Sequence, residues 1–177
     1  MLVRGFLAGV FLAYATSLAQ LIRAHGLPPF VGALVLPFGF VILVLLGMEL
    51  VTGNFALLPM GLMARRLHLT GLLRNWVWVF VANLIGGVFY AGLLFAVLTQ
   101  FGATSGDAPG EQVRELAVRK TLRYANLGLP GWGLALVSDI LCNWMVTVGT
   151  LMAFVSRSAI EKMAAMWLPI MIFFALG

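Results

Sequence analysis

The residues with the clearest chemical meaning interrupt a long apolar stretch. Five small or polar residues separate two apolar runs: Gly47, Glu49, Thr52, Gly53 and Asn54. A carboxylate and non-helical backbone are costly in lipid, and membrane proteins keep them where protein or a water-filled cavity surrounds them. The segment 47–54 therefore predicts a broken helix that lines a pathway through a membrane. A structural kink without a transport role is the alternative.

Other kinds of chemistry find little support in the sequence. Cys142 is the single cysteine, which excludes a disulfide framework and a multi-cysteine metal site. His25 and His68 fall between the apolar runs, whereas the axial ligands of a haem would lie within helices. Glu49 and Asp139 are isolated carboxylates. We therefore predict no enzyme activity, no catalytic residue, no metal site and no cofactor.

The composition is that of a membrane protein. Hydrophobic residues make up 62% of the 177 residues and charged residues 10%, whereas a soluble domain carries about 25% charged residues. So few polar groups cannot cover the surface of a soluble fold, so lipid must be the solvent for much of it. The net charge of +5 comes from basic residues at the ends of apolar runs, which indicates membrane topology and not nucleic-acid binding.

Five apolar stretches predict a single all-α transmembrane domain over residues 1–177, with about five helices. The stretches cover about 5–22, 29–63 (broken near 47–54), 72–98, 129–155 and 163–177. The first stretch also fits a signal peptide. Against that interpretation, Gly5 and Gly9 form a small-xxx-small pattern that is typical of a helix packed among other helices.

The basic residues of the short loops predict a multi-pass protein with a cytoplasmic N-terminus. That orientation places six of them on the inner side: Arg4, Arg65, Arg66, Arg74, Arg157 and Lys162. The long connection 102–128 falls on the outer side and carries a second basic group at 114–123 within a predicted helix, 111–124. This group is either an ordinary solvated helix or a positive funnel that concentrates anions at a pore mouth.

The end of the sequence resembles its interrupted segment. Leu168-Pro169 opens an apolar run that ends at Gly177, as Leu36-Pro37 opens one that ends at Gly47. Matched interrupted helices in two halves are typical of inverted repeats with a site at the membrane midplane. The sequence stops at the expected second break, so we expect the domain to be incomplete at its C-terminus, without the rest of the fifth helix and a sixth.

Five short segments, in chain order, carry a more specific signal: Gly47-Met-Glu-Leu-Val-Thr-Gly-Asn54, Leu72-Leu-Arg-Asn-Trp76, Ala82-Asn-Leu-Ile-Gly86, Ile140-Leu-Cys-Asn-Trp144 and Met166-Trp-Leu-Pro169. Together they resemble the formate–nitrite transporter family over nearly the whole chain. The resemblance implies an aquaporin-like, six-helix inverted-repeat protomer with helices two and five broken. It also implies a homopentamer in the bacterial plasma membrane with one pore per protomer.

The resemblance also assigns roles within the broken helix. Leu50 and Val51 would form an apolar pore constriction that hinders hydrated ions. The family more often has an aromatic residue at the position of Val51, which leaves the shape of this gap open. Thr52 would face the family's central histidine, whose position lies beyond Gly177. Glu49 matches the family's acidic loop residue, and we expect it to accept backbone N–H bonds that hold the turn.

Three further residues are matched outside the loop. Lys120, with Arg119 beside it, corresponds to the family's lysine of the outer vestibule. Asn143 corresponds to the fourth-helix asparagine, which either lines the pore or packs between helices. Asp139 departs from the family pattern, and we expect it to pair with the basic group or with Arg23.

The function predicted from these residues is transmembrane passage of small monovalent anions of the formate, nitrite or hydrosulfide class. Protonation of the anion near the constriction would couple this passage to protons. A neutral small-solute channel of similar architecture and a non-transport membrane subunit are the alternatives.

Overall fold

The computed structural model of the protein describes residues 1–105 and 107–176, and their regular structure is entirely helical, which confirms the all-α prediction. Nine helices follow one another in these residues: α1 (Leu2–Ala24), α2 (Pro29–Val35), α3 (Pro37–Leu45), α4 (Val51–Met63), α5 (Leu69–Leu98), α6 (Asp107–Lys120), α7 (Leu122–Ala125), α8 (Leu129–Val155) and α9 (Ala159–Leu176). Gly177, where the second helix break was predicted, lies outside the described residues.

Three of these helices are long and apolar enough to cross a bilayer: α1, α5 and α8. At 1.5 Å per residue even α1, with 23 residues, is about 35 Å long, which exceeds the roughly 30 Å hydrocarbon core. Away from the other helices, α5 exposes large apolar side chains such as Val77, Ile85 and Val97. Lipid is the solvent that suits such a face.

Small residues bring α1 and α5 into close, parallel contact. A Cβ on Gly9 would lie 2.1 Å from the carbonyl oxygen of Asn83, and one on Gly86 would lie 2.0 Å from that of Phe6. Further toward their C-termini, the hydroxyls of Ser17 and Tyr90 hydrogen-bond at 2.7 Å. The small-xxx-small face predicted from Gly5 and Gly9 is therefore the surface on which α5 packs.

The segment 29–63 forms a kinked half-helix, a short gap and a second half-helix. Leu36 keeps helical backbone angles between α2 and α3, while Pro37 lacks the N–H that would continue the hydrogen-bond ladder. Beyond α3, residues 46–50 form a non-helical loop. Leu50 of this loop is buried in the same apolar core as Val146 of α8 and Ile170 of α9. The gap therefore lies in the middle of the helix assembly.

The long connection differs from its predicted organisation. The sequence predicts one helix over 111–124, but α6 already begins at Asp107 and a break at Thr121 separates it from α7. Pro109 lies in the first turn of α6, where a missing N–H costs nothing, and Asp107 complements the positive end of the helix dipole. At the break, the hydroxyl of Thr121 donates to the Ala117 carbonyl oxygen at 2.7 Å.

Candidate functional site: a broken helix beside a cavity

The first half of the broken helix ends in a defined cap. Gly47 has a φ of +63°, a conformation that residues with a side chain rarely adopt. Its N–H donates to the Val44 carbonyl oxygen at 3.1 Å, and the N–H of Met48 donates to that of Leu43 at 2.8 Å. These two bonds and the left-handed glycine are a Schellman motif, which satisfies carbonyl groups that the helix end would leave unpaired.

The second half of the broken helix, α4, begins at Val51. Its N-terminal cap comes from Asn83 of α5. Leu50 stands at the N-cap position and has no side-chain acceptor. The Oδ1 atom of Asn83 accepts the N–H of Val51 at 2.9 Å. Its Nδ2 atom donates to the carbonyl oxygens of Glu49 at 2.9 Å and Gly5 at 2.8 Å. One amide therefore ties the loop, the start of α4 and α1 to α5.

A second side-chain amide of α5, that of Asn75, binds Glu49 and Asn54 of the same segment. The Oδ1 atom of Asn75 accepts a bond from Nδ2 of Asn54 at 2.9 Å, and its Nδ2 atom donates to the Glu49 carboxylate at 3.3 Å. The ammonium group of Met1 lies 3.6 Å from the same carboxylate. The indole N–H of Trp76 donates to the carbonyl oxygen of Asn54 at 3.2 Å. Glu49 thus contacts a side-chain amide and an ammonium group, where the sequence predicted backbone donors.

The break is shorter than the sequence predicted. Gly53 and Asn54, assigned to the loop, belong to the first turn of α4, where the N–H of Asn54 donates to the Leu50 carbonyl oxygen at 3.0 Å. The helix resumes at once because Asn83 satisfies the N–H of Val51, so no further loop residues are needed to cap it. Gly53 lies against Thr150 of α8.

A cavity of about 560 Å³ opens beside this turn, between α1 and α5. Leu50, Val51 and Thr52 all line it, so the three predicted constriction residues share one wall. The α1 wall follows one helical face: Gly9, Leu12, Ala13, Thr16, Ser17 and Gln20. Val113 and Leu116 of α6 line the other end. The lining is strongly apolar, and Leu50 and Val51 are themselves almost completely buried.

The predicted vestibule residues lie beyond the α6 end of this cavity. Arg119 and Lys120 occupy the last turn of α6 and are exposed. Lys120 follows Val113 by seven positions and Leu116 by four, a spacing that places all three side chains on one face of the helix. Lys120 therefore continues the helix face whose apolar residues line the cavity.

The remaining predicted residues lie apart from the broken helix. Asn143 of α8 is half-buried, and its amide donates to the backbone oxygen of Asp139, one turn earlier, at 2.8 Å. Asp139 is exposed, and the ion pairs found among residues 1–105 and 107–176 involve Glu49 and Glu111, so the pairing expected for Asp139 is not formed there. The same residues contain no cluster of three or more potential metal ligands.

Sequence reasoning missed the two amides that hold the turn. The predictions from the sequence do not connect Asn75 or Asn83 with the broken helix, yet both bind the broken segment. Their separation of eight positions places them on one face of α5. Polar side chains inside an apolar helix normally face the interior of a bundle, so this spacing was the available signal.

Comparisons with known proteins agree on one family. The family model described as formate/nitrite transporter matches residues 1–177. A probable formate transporter of Methanothermobacter thermautotrophicus is 34% identical over 99% of this chain and 69% of its own length. A formate channel of Bacillus thuringiensis is 33% identical over 100% of this chain and 66% of its own length. The chain thus spans about two thirds of the length of these relatives.

A solved structure supports the fold independently. A pentameric formate channel with formate bound superposes with a TM-score of 0.74 at 21% identity, over 98% of this chain and 67% of that one. The kinked half-helix, the pinned loop and the second half-helix therefore belong to a fold that is known from that structure. The chain is a membrane protein that belongs to the formate/nitrite transporter family.

Proposed function

We propose that this protein passes small monovalent anions, of the formate, nitrite or hydrosulfide class, across a membrane. The observation that carries the proposal is the broken helix held by Asn83, which presents Leu50, Val51 and Thr52 to one cavity. The names of the relatives, a formate channel and a probable formate transporter, support the same substrate class.

The geometry suggests how an anion is handled. Arg119 and Lys120 form a positive vestibule that raises the local anion concentration at the α6 end of the cavity. At the other end, Leu50 and Val51 form an apolar gap that a hydrated ion crosses only at a large desolvation cost. The vestibule therefore favours anions over cations, and the gap disfavours charge altogether.

We extend the proposal to proton coupling. A weak acid that takes up a proton at the gap crosses it as a neutral molecule, which removes most of the desolvation cost. The hydroxyl of Thr52, on the cavity wall, is placed to hydrogen-bond such a molecule. The central histidine that the family resemblance pairs with Thr52 would supply the proton.

The assembly and location are part of the same proposal. The solved relative is described as pentameric, and we propose a homopentamer with one pore per protomer. We place it in the bacterial inner membrane with the N-terminus in the cytoplasm, since this orientation puts the basic short loops inside. Its work is transport and not catalysis, as the descriptions of its family and relatives suggest.

Flux measurements test this function. We expect the complete gene product, reconstituted in liposomes, to pass formate, nitrite and hydrosulfide faster than glycerol, and faster at acidic pH than at alkaline pH. Lys120→Ala should reduce anion flux several-fold at low salt and much less at high salt, because salt screens exposed charges. Preferential glycerol flux would favour the neutral-solute channel, and anion flux indifferent to pH and to Lys120→Ala would contradict the mechanism.

A further inference from the structure

Gln20 is a buried amide on the α1 wall of the cavity. Its side chain is 2% exposed, and it lies eleven positions after Gly9, about 16 Å further along the helix. It lines the 560 Å³ cavity and also a smaller neighbouring cavity of about 200 Å³. Gln20 therefore lies near the α6 end of the cavity, away from the broken helix.

The polar groups near Gln20 are satisfied, whereas its own amide nitrogen has no partner among the described residues. The hydroxyl of Thr16 donates to the Leu12 carbonyl oxygen at 2.9 Å, and the hydroxyls of Ser17 and Tyr90 bond to each other at 2.7 Å. The Nε2 atom of Gln20 is fully covered and has no hydrogen-bond partner in the part of the chain that the structure describes. A buried amide without a partner is costly, so a protein rarely retains one without a use.

The surroundings of Gln20 favour an acceptor that enters from the cavity. Next to it the walls are apolar, formed by Leu94 of α5 and Val113 of α6. The terminal torsion of a glutamine is broad, so the amide turns its N–H toward the cavity at little cost. In such a low-dielectric setting a hydrogen bond to an anion is stronger than in water. A neutral donor also holds an anion less tightly than a lysine would, which lets the anion move on.

We propose that Gln20 donates a hydrogen bond to an oxygen of the permeating anion and so determines specificity among the anions that enter the cavity. The proposal rests on the anion-transport function proposed above and adds a substrate-contacting residue to it. Carboxylate and nitrite oxygens are good acceptors, whereas the sulfur of hydrosulfide is a weaker one. Gln20 therefore favours oxygen-bearing anions over hydrosulfide.

Gln20→Met tests this role, because methionine has a similar length and no donor. In liposomes with the complete gene product, we expect the half-saturating formate concentration to rise about tenfold, the effect of one hydrogen bond to a charged acceptor. We expect the half-saturating hydrosulfide concentration to stay unchanged. The thermal stability of the variant should be unchanged or higher, because the substitution removes an unpartnered buried amide.

Gln100→Met is the matched control, since it makes the same chemical change at an exposed position after α5 and should alter neither anion. An equal loss of both fluxes together with lower stability would show that Gln20 has a structural partner and would overturn the proposal. Unchanged formate affinity would overturn it as well. If the wild-type protein passed neither anion, the proposed function itself would fail.

Discussion

Asn83 and Gln20 are the same chemical group on two helices that pack against each other, and they differ in their partners. Asn83, on the α5 wall of the cavity, makes three hydrogen bonds of 2.8–2.9 Å to backbone groups of three different segments. Gln20, on the α1 wall, is more deeply buried and its nitrogen has no partner among the described residues.

The presence or absence of hydrogen-bond partners separates structural from functional polar residues in this membrane protein. A polar group with all its bonds made to backbone fixes the position of that backbone, here the loop that carries Leu50. A polar group that faces a cavity without a partner is available to a ligand. Burial alone does not distinguish them, since the more buried amide is the one proposed to contact substrate.

Replacing Asn83 should have the largest effect on stability and on anion flux. A small effect would contradict the structural role assigned to Asn83. Asn83→Leu leaves the N–H of Val51 and the carbonyl oxygens of Glu49 and Gly5 without their partner, which costs about 3 kcal/mol or more of stability. Formate and hydrosulfide flux should fall together, because the loop that we propose to line the pathway of both anions is released. Thermal unfolding in detergent and liposome flux measure the two effects.

The control for stability is Asn143→Leu. Among residues 1–105 and 107–176, the one bond of that amide is to the backbone of its own helix, at Asp139, so its loss should cost much less than the loss of Asn83. Equal destabilisation by the two leucine variants would contradict the assignment of Asn83 as the residue that holds the loop.

The next effect concerns the close approach of α1 and α5, on which the bond from Asn83 to Gly5 depends. Gly86→Ala would place a Cβ 2.0 Å from the backbone oxygen of Phe6, so the helices must separate at a cost of about 1–3 kcal/mol. Gly87→Ala, at the next position, meets nothing within 4 Å and should stabilise the helix by about 0.5–1 kcal/mol. Unfolding temperatures that move in the same direction would contradict this packing.

The smallest effect concerns Glu161, which caps the start of α9 in solvent as Asn83 caps the start of α4 in the protein interior. Glu161 accepts the backbone N–H groups of Arg157 and Ser158, and these bonds hold its pKa below the ordinary glutamate value. Because the folded-state pKa is lowered, the stabilisation is present above the ordinary pKa and is lost as pH falls through the lowered one. Glu161→Gln should therefore lower the unfolding temperature slightly at neutral pH and make no difference in strong acid.

A stability difference between Glu161→Gln and the wild-type protein that persists unchanged in strong acid would show that the carboxylate's charge is not what caps α9. Glu161 and Asn83 both accept backbone N–H groups at the start of a helix. Because the N–H of Val51 is buried, loss of its acceptor costs far more than loss of the acceptor that Glu161 provides in solvent.

The fold was largely predictable from the sequence. Apolar runs, the Gly47 break and the Gly5–Gly9 face all follow from local rules of hydropathy and backbone conformation. The position of the start of α4 was not predictable in this way. It depends on Asn83, which is 32 positions further along the chain, so no local pattern shows that Gly53 and Asn54 are helical.

The site was predictable only in part, for the same reason. The sequence named Leu50, Val51 and Thr52, and one cavity contains all three. It gave no signal for Gln20, because a single glutamine within an apolar helix is equally consistent with a satisfied packing amide. Its lack of a partner is a property of the packed helices, and so only the structure reveals it.

The central claim is that anions pass the cavity wall formed by the broken helix, and the reactivity of one introduced cysteine tests it most directly. Cys142 is buried and is replaced by serine to give a cysteine-free background. In Thr52→Cys, we expect a small thiol reagent to stop formate flux and formate to slow the labelling. Thr104→Cys, exposed in the polar connection after α5, should be labelled without loss of flux. Complete labelling of Thr52→Cys with undiminished formate flux would show that anions do not pass this wall of the cavity.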